Sequence, residues 1–85
     1  MAEKIGVVGV GKVGLPLALV MAKHFNVKAV DVRSEVVNRI KKRGHFAEKN
    51  VKKYLEQYGD NFEVSTDFGL IRNCDVVFVV VGTQN

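Results

Sequence analysis

Gly9-Val10-Gly11-Lys12-Val13-Gly14 fits the pattern G-x-G-x-x-G, and Asp31 stands twenty residues beyond Gly11. This spacing suits a phosphate cradle followed by a sugar-binding acid. Gly9 would permit a tight turn, Gly11 would let a pyrophosphate approach the backbone with no Cβ in the way, and Gly14 would let a helix pack close to the sheet. Amides from Val10 to Val13 and the dipole of the helix they open would hold the anion. Asp31 would accept hydrogen bonds from an adenosine ribose, and its charge would oppose a 2′-phosphate. Arg33, just past that acid, could stack on adenine or pair with a phosphate, or could be an ordinary surface residue.

Eight glycines in 85 residues can generate the bare pattern by accident, so the elements that must hold these residues decide its meaning. Lys4 to Val8 is a short apolar run that reaches Gly9, as a buried strand would. Val13, Leu17, Ala18, Val20 and Met21 then recur at helical spacing, with an end expected near His24. If that helix opens near Lys12, Pro16 falls in its second turn and calls for a kink or a later start. Val27 to Val32 reads as the second strand, bringing Asp31 to its end. Ser34 is a candidate N-cap for a helix that turns Val36, Val37 and Ile40 inward, with Gly44 at its C′ position. A third helix is expected from Lys49 to Tyr58, with Val51, Tyr54, Leu55 and Tyr58 on one stripe and Gly59-Asp60-Asn61 closing it. Phe62 to Ser65 is a short strand, and Thr66 or Asp67 caps a helical turn or two through Leu70 and Ile71. Val76 to Val81 is a strand with no polar face, which expects cover on both sides.

Alternation of strands and helices around such a strand predicts an α/β fold. It is a Rossmann-type half, a parallel sheet of about four strands in the order 3-2-1-4 flanked by helices. Residues 1–85 read as one dinucleotide-binding domain, with no internal repeat or linker. Composition agrees with a small globular unit, 47% apolar and 26% charged. No apolar run approaches the roughly 18 residues of a membrane span, and Met1-Ala2-Glu3-Lys4 lacks a signal-peptide layout, so the cytoplasm is the expected compartment. A lone Cys74 forbids an internal disulfide, and with His24 and His45 isolated no metal set is expected. The formal charge of +4 is uneven: Arg33 to Lys53 carries eight basic residues against two acidic ones. That stripe could meet an anionic ligand or an acidic partner surface, or be a solvated helix face. Without interleaved aromatics in Arg39 to Arg43, nucleic acid is not an expected partner.

Gly-Val-Gly-Lys-Val-Gly-Leu-Pro-Leu-Ala from Gly9 to Ala18, Val-Asp-Val from Val30 to Val32 and Val-Val-Gly-Thr-Gln from Val80 to Gln84 resemble the N-terminal NAD-binding domain of the UDP-glucose/GDP-mannose dehydrogenases. The Gly-Leu-Pro-Leu-Ala stretch is the most specific part. Members of that family oxidise the C6 alcohol of a nucleotide sugar to a carboxylate in two NAD-dependent steps, through a thioester on a cysteine. The resemblance implies that Gly9, Gly11, Gly14 and Asp31 serve NAD, with Gly82 and Thr83 against it at the end of the fourth strand. Several positions depart from the family pattern. Lys12 stands where an aromatic residue is frequent, Val36 where a lysine near the adenosine is common, and Arg33 is a candidate substitute for that lysine. Gly44-His45-Phe46-Ala47 replaces a Gly-x-Ser-Pro stretch, and Gln84 replaces a proline.

The resemblance places the family's catalytic cysteine, lysine and asparagine beyond residue 85, and Cys74 before the fourth strand is expected to be a buried structural thiol. The sequence therefore reads as a truncated, cofactor-binding piece of an oxidoreductase that is not catalytic alone. Two other classes stay open: a regulatory nucleotide-sensing domain of the kind that gates potassium transport, and an interaction fragment with a vestigial site. A homodimer or larger assembly through the exposed fourth strand is also expected, because its apolar side chains and one row of backbone groups would lie at the sheet edge.

Overall fold

The computed structural model describes residues 3–11, 14–42 and 49–80, the first four of the last stretch by backbone alone. Four strands, β1 (Lys4–Val8), β2 (Asn26–Val30), β3 (Phe62–Ser65) and β4 (Val76–Val79), form one sheet in the order β3-β2-β1-β4, with every pairing parallel. Helix α1 (Gly14–Met21) connects β1 to β2, α2 (Ser34–Lys41) and α3 (Lys49–Tyr58) both lie between β2 and β3, and 3₁₀ turns span Gly59–Asn61 and Phe68–Ile71. The anticipated order 3-2-1-4 and its flanking helices are therefore present.

Alternation along the strands divides the side chains between the two faces. Ile5 and Val7 of β1, Val27 and Ala29 of β2 and Val64 of β3 join Leu15, Ala18 and Leu19 of α1, Val37 and Ile40 of α2 and Leu55 of α3 in one buried cluster. The other face is thinner. Around Gly6 stand the side chains of Val77, Ile71 and Cys74, the last two from the segment that connects β3 to β4. Cys74 is half-buried rather than fully enclosed, and its burial raises the thiol pKa above its ordinary value.

Several boundaries differ from the sequence expectation, each for a local reason. Strand β2 stops at Val30 instead of Val32: the Asp31 carboxylate accepts the Arg33 N–H at 2.9 Å, a two-residue Asx turn that redirects the chain. The N-cap of α2 is Arg33, in extended backbone, and Ser34 is already helical; no side chain caps this end. Glu35 in the first turn and Arg39 and Lys41 in the last complement the helix dipole instead. Pro16 lies in the first turn of α1, where a missing N–H costs little. Asp67 caps the Phe68–Ile71 turn by accepting the Gly69 N–H at 2.9 Å. In α3, Leu55 is buried and Tyr54 meets Tyr58 edge to face at 5.7 Å; the Val51 side chain and Gly44 lie outside the described residues.

β4 departs furthest from expectation. It ends at Val79, although the Val80 N–H still donates to the Val8 carbonyl at 2.8 Å, and Val81 lies outside the described residues. Its four apolar side chains are 42–67% exposed instead of covered on both faces.

Candidate functional site

The carboxyl ends of β1 and β2 converge because the Gly9 N–H donates to the Val30 carbonyl at 2.8 Å, extending their ladder by one bond. Two glycines are required by geometry at this end. Gly9 has φ of +99°, and a Cβ there would run into the Val80 carbonyl oxygen at the end of β4. A Cβ on Gly14 would strike the Gly9 carbonyl oxygen, so the absence of a side chain lets α1 start directly against the β1 turn. This is the point where the strand order reverses, between β1 and β4, with a helix N-terminus above it. In parallel α/β sheets, ligands bind in the crevice at that point.

Asp31 follows Val30 directly, which places its carboxylate beside the glycine turn. Its Oδ2 accepts the Val10 N–H at 3.0 Å and an Arg33 Nη2–H at 2.8 Å; its Oδ1 accepts the Arg33 N–H and Nε–H, both at 2.9 Å. Asp31 is the one buried charged or polar residue among the described residues, at 4% exposure. The hydrogen bonds from the Arg33 side chain hold the carboxyl well below the usual carboxylate range; burial opposes them, and the Val10 and Arg33 amides and the arginine charge reinforce them. Arg33 is correspondingly raised by the same contacts.

Of the residues singled out in the sequence, Gly9, Val10, Gly11, Gly14, Asp31 and Arg33 are brought together here. Lys12, Val13, Gly82 and Thr83 lie outside the described residues. Two partnerships differ from expectation. The Val10 N–H, assigned to an anion, donates to Asp31, and Arg33 closes on Asp31. Val80 was not singled out, yet its carbonyl packs on Gly9; parallel pairing of β1 with β4 was the available signal. A cavity of about 210 Å³ lined by Ile40, Lys41, Leu55, Phe62, Glu63 and Val64 includes neither the glycine turn nor Asp31, so it has no part in this site. Among the described residues, no group of three or more His, Cys, Asp or Glu is placed to hold a metal, and no helix is long and apolar enough to cross a membrane.

The lowered Asp31 pKa has a defined consequence for stability. A carboxyl whose folded pKa lies below its unfolded value, about 3.9, contributes fully above that value and loses the contribution as pH falls below it. Thermal unfolding followed by circular dichroism from pH 6 to pH 3 should show a fall in Tm concentrated below about pH 4. In the Asp31→Asn variant the fall should be shallower. Equal pH dependence in the two proteins would show that the carboxylate's hydrogen bonds do not stabilise the fold.

Comparison with known proteins accords with this geometry. The model of the UDP-glucose/GDP-mannose dehydrogenase family, NAD binding domain, matches residues 3–85. A UDP-glucose 6-dehydrogenase of Streptococcus pneumoniae is 35% identical over 81 residues, covering 94% of this chain and 20% of that protein. Among solved structures, a ternary complex of GDP-mannose dehydrogenase from Pseudomonas aeruginosa superposes with a TM-score of 0.83 at 28% identity, covering 94% of this chain and 20% of that one. A UDP-D-ManNAc dehydrogenase from Pyrococcus horikoshii does so with a TM-score of 0.86 at 26% identity, covering 93% and 20%. The chain thus spans about a fifth of the length of these relatives. A parallel sheet in the order 3-2-1-4, a glycine turn at its switch point and a match over residues 3–85 establish that this chain belongs to the UDP-glucose/GDP-mannose dehydrogenase family, as its NAD-binding domain.

Proposed function

We propose that residues 1–85 form a single dinucleotide-binding domain that supplies the NAD site of a nucleotide-sugar 6-dehydrogenase of the UDP-glucose or GDP-mannose type, working in the cytoplasm. The reading is carried by the Asp31 carboxylate, fixed on the Val10 N–H beside a turn that only glycine can occupy at positions 9 and 14. NAD fits that arrangement. Gly9, Gly11 and Gly14 leave the backbone bare for a pyrophosphate, and Lys12 and Val13 are assigned to the same anion. Val10 anchors Asp31 for the adenosine ribose, Arg33 lies beside it, and Gly82 and Thr83 are assigned to the cofactor. When bound, NAD supplies the hydride acceptor for alcohol oxidation. The residues of this chain bind and orient it.

NAD should be preferred to NADP. A carboxylate about 4 Å from an added phosphate charge costs roughly 1 kcal/mol in water-like surroundings and about 4 kcal/mol at an effective dielectric of 20. Calorimetric titration should therefore give NAD at least a tenfold advantage, smaller in Asp31→Ala. Equal or tighter NADP binding would overturn the ribose assignment.

The same reading extends to assembly. Among the described residues one edge of β4 faces no strand, and its exposed Val76, Val77, Phe78 and Val79 suit pairing with β4 of a second copy about a two-fold axis. Light scattering should find a dimer or larger assembly, and Val79→Lys should shift it to monomer. A stable monomer at high micromolar concentration, unaffected by that substitution, would remove the proposal.

A further inference from the structure

We infer that Arg33 tunes cofactor choice by competing with the ribose for Asp31, an inference that rests on Asp31 being the ribose acceptor. An ionised carboxylate offers about four lone-pair positions. All four are filled here: Oδ2 by the Val10 N–H and Arg33 Nη2–H, Oδ1 by the Arg33 N–H and Nε–H. The two backbone donors are fixed by the glycine turn and by the start of α2. The two guanidinium donors are not. They belong to a side chain that is 51% exposed, whereas the carboxylate they hold is 4% exposed.

A ribose 2′,3′-diol bound by Asp31 needs the acceptor positions that the guanidinium holds. The arginine also overhangs the glycine turn, since its Nη2 lies 3.4 Å from where a Gly11 Cβ would be. An adenosine entering along Gly11 therefore displaces Arg33 before it gains Asp31. The displaced guanidinium stays tethered two residues from the acid, beside the ribose 2′ position, where a phosphate would give it a new partner. NAD offers no such replacement. Asp31 thus favours NAD, and Arg33 reduces the margin.

The test is a calorimetric titration of NAD and NADP against the wild-type chain, Arg33→Ala, Arg33→Lys, Asp31→Asn and the Asp31→Asn/Arg33→Ala double variant. Release of a partly exposed, bidentate ion pair corresponds to an affinity change of about three- to tenfold. Arg33→Ala should tighten NAD by that factor and leave NADP unchanged or weaker, so that the NAD/NADP ratio rises. Arg33→Lys, which keeps the charge but not the planar fork, should fall between. It also covers the case in which Arg33→Ala is poorly folded.

An independent readout is the ¹⁵Nε–H resonance of Arg33. ADP-ribose should shift it as the carboxylate bond is lost, and nicotinamide mononucleotide should not. Weaker NAD binding in both arginine variants, or an Nε–H signal unmoved by ADP-ribose, would overturn the inference, since Arg33 would then hold the cofactor or stay on Asp31. Failure of the underlying reading looks different: Asp31→Asn would leave NAD affinity unchanged in the Arg33→Ala background. Weakening there without tightening in Arg33→Ala would reject the competition and keep the ribose site.

Discussion

Gly14→Ala should cost this chain both its stability and its NAD binding. A Cβ at position 14 meets the Gly9 carbonyl oxygen, a backbone atom with little freedom to move. Gly9 is tied to β2 through the Val30 carbonyl, and the neighbouring Val8 carbonyl is tied to β4 through the Val80 N–H, both at 2.8 Å. Relief must come from α1, which would have to lift from the turn and drag Leu15, Ala18 and Leu19 out of the core. A penalty of about 3 kcal/mol or more is expected, at the high end for single substitutions. A chain of this size has roughly 4–13 kcal/mol in total. Thermal unfolding should fall by more than about 12 °C, and calorimetry should detect no NAD binding. A Tm within about 5 °C of wild type with unchanged NAD affinity would show that the helix start is not set by this contact.

Leu19→Ala should be nearly as damaging by a different route. Leu19 is fully buried among the residues that join α1 to the sheet, so truncation leaves a cavity that rigid strands cannot fill. Comparable substitutions cost about 2.7–5 kcal/mol. Leu17 is on the same helix but 39% exposed, and Leu17→Ala should cost well under half as much. Urea unfolding of the pair checks this, with equal shifts in midpoint counting against it. Because NAD binds the folded chain, NAD at about a hundred times its Kd should return roughly 2.7 kcal/mol to Leu19→Ala. Recovery of that size would show that the damaged protein still forms the site.

How far the sequence revealed this site depended on whether a residue's partner was local. The run into Gly9, the three glycines and Asp31 at the end of β2 were legible because each is a backbone requirement written in residue type. The order of strands followed from alternation and crossover handedness. Partnerships across space were less legible. Arg33 had adenine, phosphate and solvent as candidate partners, and the Asx turn that ends β2 early instead points its guanidinium back at the Asp31 carboxylate. That turn also made Arg33 the N-cap position in place of Ser34. The place of β4 at the sheet edge was legible from the strand order, but its apolar run indicates a need for cover without saying what provides it. Likewise Lys28 and Glu63 form an ion pair at 2.8 Å across β2 and β3, visible only once the parallel register sets them side by side.

The first strand of the chain is an inner strand of the sheet, and that placement governs the order of events during folding. Ile5 pairs with Val27 on one side and with Val76 on the other. The first pairing closes through α1 alone. The second encloses nearly the whole chain, as does the Lys4 N–H bond to the Asp75 carboxylate at 3.0 Å. Chains grow from the N-terminus, so β1, α1 and β2 can meet early while one edge of β1 waits for its last neighbour. Closing so long a loop is slow relative to local pairing. The glycine turn, which is held between β2 and Val80, should therefore be completed late, and the capacity to bind a dinucleotide should not appear before β4 has docked on β1.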